Sequence, residues 1–137
     1  MRINLISYSP NIETLIATSM LTTTSGAQPS ILFERLKERP EKVQEIVERV
    51  EVQHGNILEH NRLIWELVAT ENEVLQILLN SKFFNITKIK AGKWLISGNL
   101  RTVVEYSNQY FDDFRAMIIE SIRDASPRIY EFIEGSN

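Results

Sequence analysis

The sequence predicts an α+β fold, a small and mostly antiparallel sheet packed against helices, with one long helix near the C-terminus. Three observations carry this. Strand-like and helix-like stretches follow one another in mixed order rather than in a strict β–α–β succession. Phe83–Lys90 and Trp94–Ser97 flank Ala91-Gly92, the pattern of an antiparallel hairpin. From Leu100 to Ile122 the apolar residues Leu100, Val103, Val104, Phe111, Phe114, Met117, Ile118 and Ile122 keep helical spacing over about six turns.

Taken in order, Ile3–Tyr8 reads as a short strand that Pro10 ends. Asn11–Leu21 places Ile12, Leu15, Ile16 and Met20 at helical spacing, and the hydroxyl-rich Thr22–Pro29 reads as a polar loop. Ser30 is expected to cap a short helix through Leu36. Pro40 suits the first turn of the next helix, Glu41–Val52, with Val43, Ile46, Val47 and Val50 on its apolar face. Its other face pairs Glu with Arg and is expected to face water. After Gly55, Leu63–Val68 reads as a mostly buried strand. Glu71–Asn80 reads as a helix with Val74, Leu75, Leu78 and Leu79 inward, and Asn99 is expected to cap the long helix. A short helix around Ile129–Ile133 follows Pro127.

The 137 residues suit one domain spanning 1–137. A chain of this size buries roughly 68% of the surface it exposes when unfolded, enough for a real core. No stretch approaches the ~20 apolar residues that span a bilayer, and the first residues lack the apolar run of a signal peptide. The absence of cysteine removes disulfides, thiolate nucleophiles and Cys-ligated metals from consideration. A cytoplasmic protein is expected, and the frequent Ile, Glu, Lys and Arg fit a thermophile.

Charge is uneven. Lys82, Lys88, Lys90, Lys93 and Arg101 give the acid-free window 80–104 a charge of +5, which leaves −8 for the rest of a chain whose net charge is −3. Such an asymmetry steers anionic ligands, or serves as a solvated, lysine-rich strand edge that discourages aggregation. His54, Glu59 and His60 converge within seven residues. The two histidines are six apart, which is not the spacing of a helical zinc pair, and no third ligand is evident, so no metal site is expected. A purely structural role has Asn56 capping a new turn while Glu59 and His60 satisfy local backbone groups. The five glycines are scattered and form no phosphate loop.

These segments together resemble the flavin-dependent thymidylate synthases of the ThyX type. Ile3-Asn-Leu-Ile-Ser-Tyr-Ser-Pro10 resembles that family's first strand and turn. His54-x-Asn56-x-Leu58-Glu59-His60 resembles its His-x-Ser/Thr-x-x-Glu-His segment, with Asn in place of the hydroxyl residue. Trp94–Thr102 resembles its strand leading into Asn-x-Arg-Ser at the head of a long helix, and Pro127–Phe132 its closing Pro-x-x-Phe-x-x-Phe. The resemblance implies FAD as cofactor, with His54 near the flavin, Thr24 and Ser25 near its phosphate, and Asn99 and Arg101 facing flavin or folate. It makes Glu59 and His60 a structural pair and puts Ser81 and Lys82 at the dUMP site.

The departures shape the expected function. Where the family carries Arg-His-Arg and then Ser, this chain has Asn80-Ser81-Lys82 and then Phe83-Phe84-Asn85. The family's long helical insert is reduced to Ala91-Gly92, and Tyr110 and Phe114 stand where the last helix would carry an arginine and a histidine. That reaction uses no enzyme nucleophile, so positioning and electrostatic activation must supply the rate. A guanidinium holds phosphate and carbonyl oxygens in a fixed fork that lysine does not reproduce. The resemblance therefore implies a shortened, catalytically inactive relative with a ligand-binding or assembly role and no catalytic residue. The family's shared-site tetramer further implies a homo-oligomer, dimer or tetramer, or a partnership with a full-length synthase.

Two alternatives stand beside this reading. One is an active synthase using Lys82 and Lys88 in place of the arginines. The other is a nucleotide or nucleic-acid binder on the 82–101 face with Trp94 and Phe84. The latter ranks last, because five cations without a recognisable motif are few.

Overall fold

The computed structural model describes residues 1–50 and 56–135. Its four strands are β1 (Arg2–Tyr8), β2 (Leu63–Val68), β3 (Asn85–Lys90) and β4 (Lys93–Gly98), in the spatial order β1-β2-β4-β3 with every neighbouring pair antiparallel. Helices α1 (Ile12–Ser25), α2 (Pro29–Lys37) and α3 (Pro40–Val47) lie between β1 and β2 in sequence, and α4 (Glu71–Asn80) between β2 and β3. Helices α5 (Leu100–Gln109), α6 (Asp113–Ser121) and α7 (Pro127–Gly135) follow the sheet. The α+β expectation holds.

Strand alternation decides which face of the sheet is covered. Leu63, Trp65 and Leu67 of β2, with Trp94, Ile96 and Gly98 of β4, are buried, while Glu66, Lys93 and Leu95 occupy the other face. Trp65 stands opposite Ile96 in the ladder, and its indole N–H donates to Ser121 Oγ of α6 at 2.8 Å. The buried apolar residues form one cluster that joins the sheet to Ile16, Val47, Val103, Ile118 and Ile129 of the helices. Ala91-Gly92 closes the β3–β4 hairpin, with Gly92 at φ +79°, a conformation that glycine adopts without a Cβ penalty.

Several boundaries depart from expectation. The long C-terminal helix is two helices, because the chain breaks at Tyr110-Phe111-Asp112. Asp112 caps the second one by accepting from Arg115 N at 2.8 Å, and it also accepts the Tyr106 hydroxyl at 2.6 Å. The expected polar loop from Thr22 is helical to Ser25, because the hydroxyls of Thr22, Thr23 and Thr24 return to the carbonyls of Ser19, Met20 and Leu21 and Gly26 (φ +68°) ends the helix. Ser30 lies inside α2 instead of capping it, because Pro29 already fixes φ at the first helical position. In α4 the inward residues are Val74 and Ile77, whereas Leu75, Leu78 and Leu79 are exposed. Asn99 caps α5 as expected, accepting from Thr102 N at 2.9 Å. Among the described residues no helix is long and apolar enough to cross a membrane.

Candidate functional site

The junction of β4 and α5 sets the site. Gly98 ends the strand, Asn99 caps the helix, and Arg101 therefore leaves the first turn of α5 toward the segment before β2. That segment begins with a tight helical turn at 56–58, and Asn61 fastens it to α5. The Asn61 side chain donates to Leu58 O at 2.9 Å and accepts from Leu100 N at 2.8 Å. The local backbone work expected of Glu59 and His60 is thus done by Asn61. Glu59 turns its carboxylate across the gap, and Arg101 Nη1 donates to it. Arg101 Nε donates to Glu105 at 2.9 Å and Nη1 to Asn56 Oδ1 at 3.2 Å. Hydrogen bonding to Glu105, then to Glu59, raises the guanidinium's pKa above its ordinary value.

A cleft of about 280 Å³ opens beside this cluster, lined by Glu59, Arg62, Phe83, Asn99, Arg101, Thr102 and Glu105. Arg62, whose guanidinium donates to Ser97 Oγ at 2.8 Å, is the second cation. Two carboxylates thus face two guanidinium groups, and the cleft is electrostatically balanced rather than basic. A second cleft of about 250 Å³ continues past Phe83 and Glu105 and takes in Ser81, Lys82, Tyr106 and Gln109. Sequence reading passed over Arg62 and Phe83, which carry no local signal. Glu105 was readable as the i+4 partner of Arg101.

Beneath the second cleft lies an aromatic cluster. Phe84, Tyr106 and Phe114 are buried and meet edge-on, with centroid separations of 5.1–6.1 Å. The Tyr106 hydroxyl accepts from Asn80 Nδ2 at 3.1 Å while donating to Asp112. Burial, then the hydrogen bond to Asp112, pushes its pKa well above the ordinary tyrosine value.

The residues expected from sequence separate into groups. Asn99 and Arg101 share the first cleft, and Ser81 and Lys82 line the adjoining one. Thr24 lines a different cavity, with Met20, Ile46, Arg49 and Ile57, and Ser25 is exposed at the end of α1. The turn at 56–58 separates these regions: Asn56 reaches Arg101, while Ile57 faces the Thr24 cavity. His54 lies outside the described residues. Lys88 is ion-paired with Glu71 and lies over the Trp94 ring at 5.6 Å. Trp94 and Phe84, the expected stacking platform for a nucleic acid, are 8% and 3% exposed, and the Trp94 indole donates to Ala69 O. Alternation along β4 turned Trp94 into the core and Phe84 packs against Trp65, Tyr106 and Phe114, so neither offers a face to a base. Among the described residues no group of His, Asp and Glu side chains is arranged to hold a metal ion.

This antiparallel sheet with its surrounding helices is similar in fold to a solved flavin-dependent thymidylate synthase. The particular likeness is to the crystal structure of flavin dependent thymidylate synthase ThyX from Helicobacter pylori complexed with FAD and dUMP. The TM-score is 0.66 over 97% of this chain and 99% of that one, at 11% sequence identity. At that identity the likeness concerns the fold alone. By sequence, no protein-family model and no curated protein matches the chain.

That structure contains FAD, whose diphosphate needs donors. In this chain a diphosphate entering the first cleft meets the Glu59 and Glu105 carboxylates, which take up Nη1 and Nε of Arg101. As arranged, those carboxylates oppose such a group, while Arg62, Asn99 and Thr102 are the other polar residues lining the cleft.

Proposed function

We propose that this protein is a catalytically inactive relative of the flavin-dependent thymidylate synthases, with a ligand-binding or assembly role in place of dUMP methylation. The observation that carries the reading is the engagement of Arg101 by Glu59 and Glu105. Methylation without an enzyme nucleophile depends on guanidinium groups free to hold phosphate and polarise the uracil ring. Here Nε and Nη1 of the Asn-x-Arg guanidinium are engaged by Glu105 and Glu59, and Ser81-Lys82 supplies no guanidinium. Removing one such donor costs on the order of 10²–10³ in rate, and several are missing.

The test is tritium release from labelled dUMP, with FAD, a reductant and methylenetetrahydrofolate supplied. Release no faster than in protein-free controls is expected, together with purified protein that is colourless and gives no spectral shift with added FAD. Flavin-dependent release would establish the alternative, an active synthase. Continuity of the two clefts through Phe83 and Glu105 favours that second reading, since it would let a pyrimidine at Ser81-Lys82 meet a cofactor at Asn99.

A further inference from the structure

One face of the sheet carries the core, and the other is left open by every described residue. Down the two central strands the outward positions on that open face include Val68, Leu95 and Ile64, none of them buried, with Leu95 38% exposed. An antiparallel sheet that faces water ordinarily turns apolar residues inward and polar ones outward. In β2, Leu63-Ile-Trp-Glu-Leu-Val68, only Glu66 follows the outward half of that rule. The strand is composed as one covered on both sides.

The charges around this strip say what covers it. Arg2, Val68, Lys93 and Lys90 stand side by side across all four strands, so three cations close one end of the strip. Neighbouring strands lie about 5 Å apart, which puts Arg2 and Lys93 roughly 10 Å apart at the backbone. A groove of about 270 Å³ opens there, lined by both cations and by Asn4, Glu66 and Val68. Glu71 neutralises Lys88, the other lysine of β3, but among the described residues no ion pair engages Arg2, Lys90, Lys93 or Glu66. A second copy of this face would bring one carboxylate, Glu66, for three cations. An anionic lipid surface would press like charge onto Glu66. An apolar centre with a charged rim is instead the anatomy of an interface with another protein, one that is acidic where this face is basic.

We propose that the open face of the sheet docks an amphipathic helix of an acidic partner protein. Its apolar stripe lies on Val68, Leu95 and Ile64, its carboxylates meet Arg2, Lys93 and Lys90, and a lysine or arginine of its own meets Glu66. Val68 and Ile64 are roughly 13 Å apart along the strand, between two and three turns of helix. The proposal goes beyond the functional reading above and uses neither cleft. dUMP turnover overturns that reading alone, and failure of the helix to bind overturns this one alone.

The experiment is fluorescence anisotropy on the full chain with a labelled synthetic helix. The probe carries leucines at i, i+4 and i+7, a lysine midway and glutamates beyond the last leucine. Saturable binding that weakens with salt is expected, with amide shifts confined to the outward residues of the sheet. Leu95→Glu and Lys93→Glu should each weaken it about tenfold with the far-UV circular dichroism unchanged, and Leu75→Glu on α4 should leave it as it was. If Leu95→Glu fails to fold, Leu95→Ser and Lys93→Glu decide. No binding, equal binding of a probe with lysines in place of the glutamates, or indifference to both sheet variants overturns the proposal. Self-association or co-sedimentation with phosphatidylserine vesicles that Leu95→Glu abolishes overturns it too.

Discussion

Arg101 and Glu59, 42 residues apart in sequence, share a charge-assisted hydrogen bond across the mouth of the first cleft. The bond joins the head of α5 to the segment entering β2. It also gives Arg101 an internal carboxylate where an incoming anion would bind, because both groups use the same fork of N–H donors.

Glu59→Gln should therefore improve anion binding without unsettling the fold. The ion pair is partly exposed, and pairs of that kind contribute little to stability. Calorimetric titration with inorganic phosphate should show tighter binding to Glu59→Gln than to wild type, and the gain should shrink as salt is added. Equal or weaker binding by the variant would show that Glu59 does not compete for Arg101.

Tyr106→Phe removes a buried hydroxyl that holds Asn80 at the end of α4 to Asp112 at the head of α6. Urea denaturation should show a loss of about 1–3 kcal/mol, the usual effect of leaving buried polar partners unmatched. The folded state holds the phenolic proton more tightly than the unfolded chain does. That contribution is whole below about pH 10, the ordinary tyrosine value, and is lost as pH rises beyond it. Tyr106→Phe should flatten this alkaline decline; an unchanged slope would place its origin elsewhere.

Gly98→Ala should destabilise through sterics. A Cβ there would lie 3.0 and 3.1 Å from Cδ1 and Cε1 of Phe84, whose ring is held edge-on by Trp65, Tyr106 and Phe114. A loss of about 1–3 kcal/mol is expected. Combining it with Phe84→Leu should cost less than the sum of the single changes, because the smaller side chain removes the clash.

Ser121→Ala leaves the indole N–H of fully buried Trp65 without an acceptor. A fall of about 1–3 kcal/mol in unfolding free energy is expected, with a shift in tryptophan emission. A variant as stable as wild type would mean that another group or a water molecule takes over.

Features governed by neighbours in sequence were legible. The hairpin at Ala91-Gly92, the strands β2 and β4, the cap at Asn99 and the proline start of α3 all depend on a few adjacent residues. The break before α6 was missed because the apolar period runs on through Tyr110 to Phe114 and Ile118, hiding it. The signal present was Asp112-Asp113, a cap followed by an acidic first turn. In α4, Leu75, Leu78 and Leu79 are as apolar as Val74 and Ile77. Composition could not say which side turned inward, and of the four residues expected there only Val74 is buried.

The sequence by itself determined the class of fold, most of its strands and helix starts, and the segments that meet at the cleft. Only the tertiary structure decided the cleft's charge. The basic window from Lys82 to Arg101 looked cationic because its counter-charges lie elsewhere in the chain: Glu59 and Glu71 precede it and Glu105 follows. Whether an arginine is free to bind depends on distance in space, and residues 42 positions apart become neighbours only once the sheet has brought the entry to β2 alongside the head of α5.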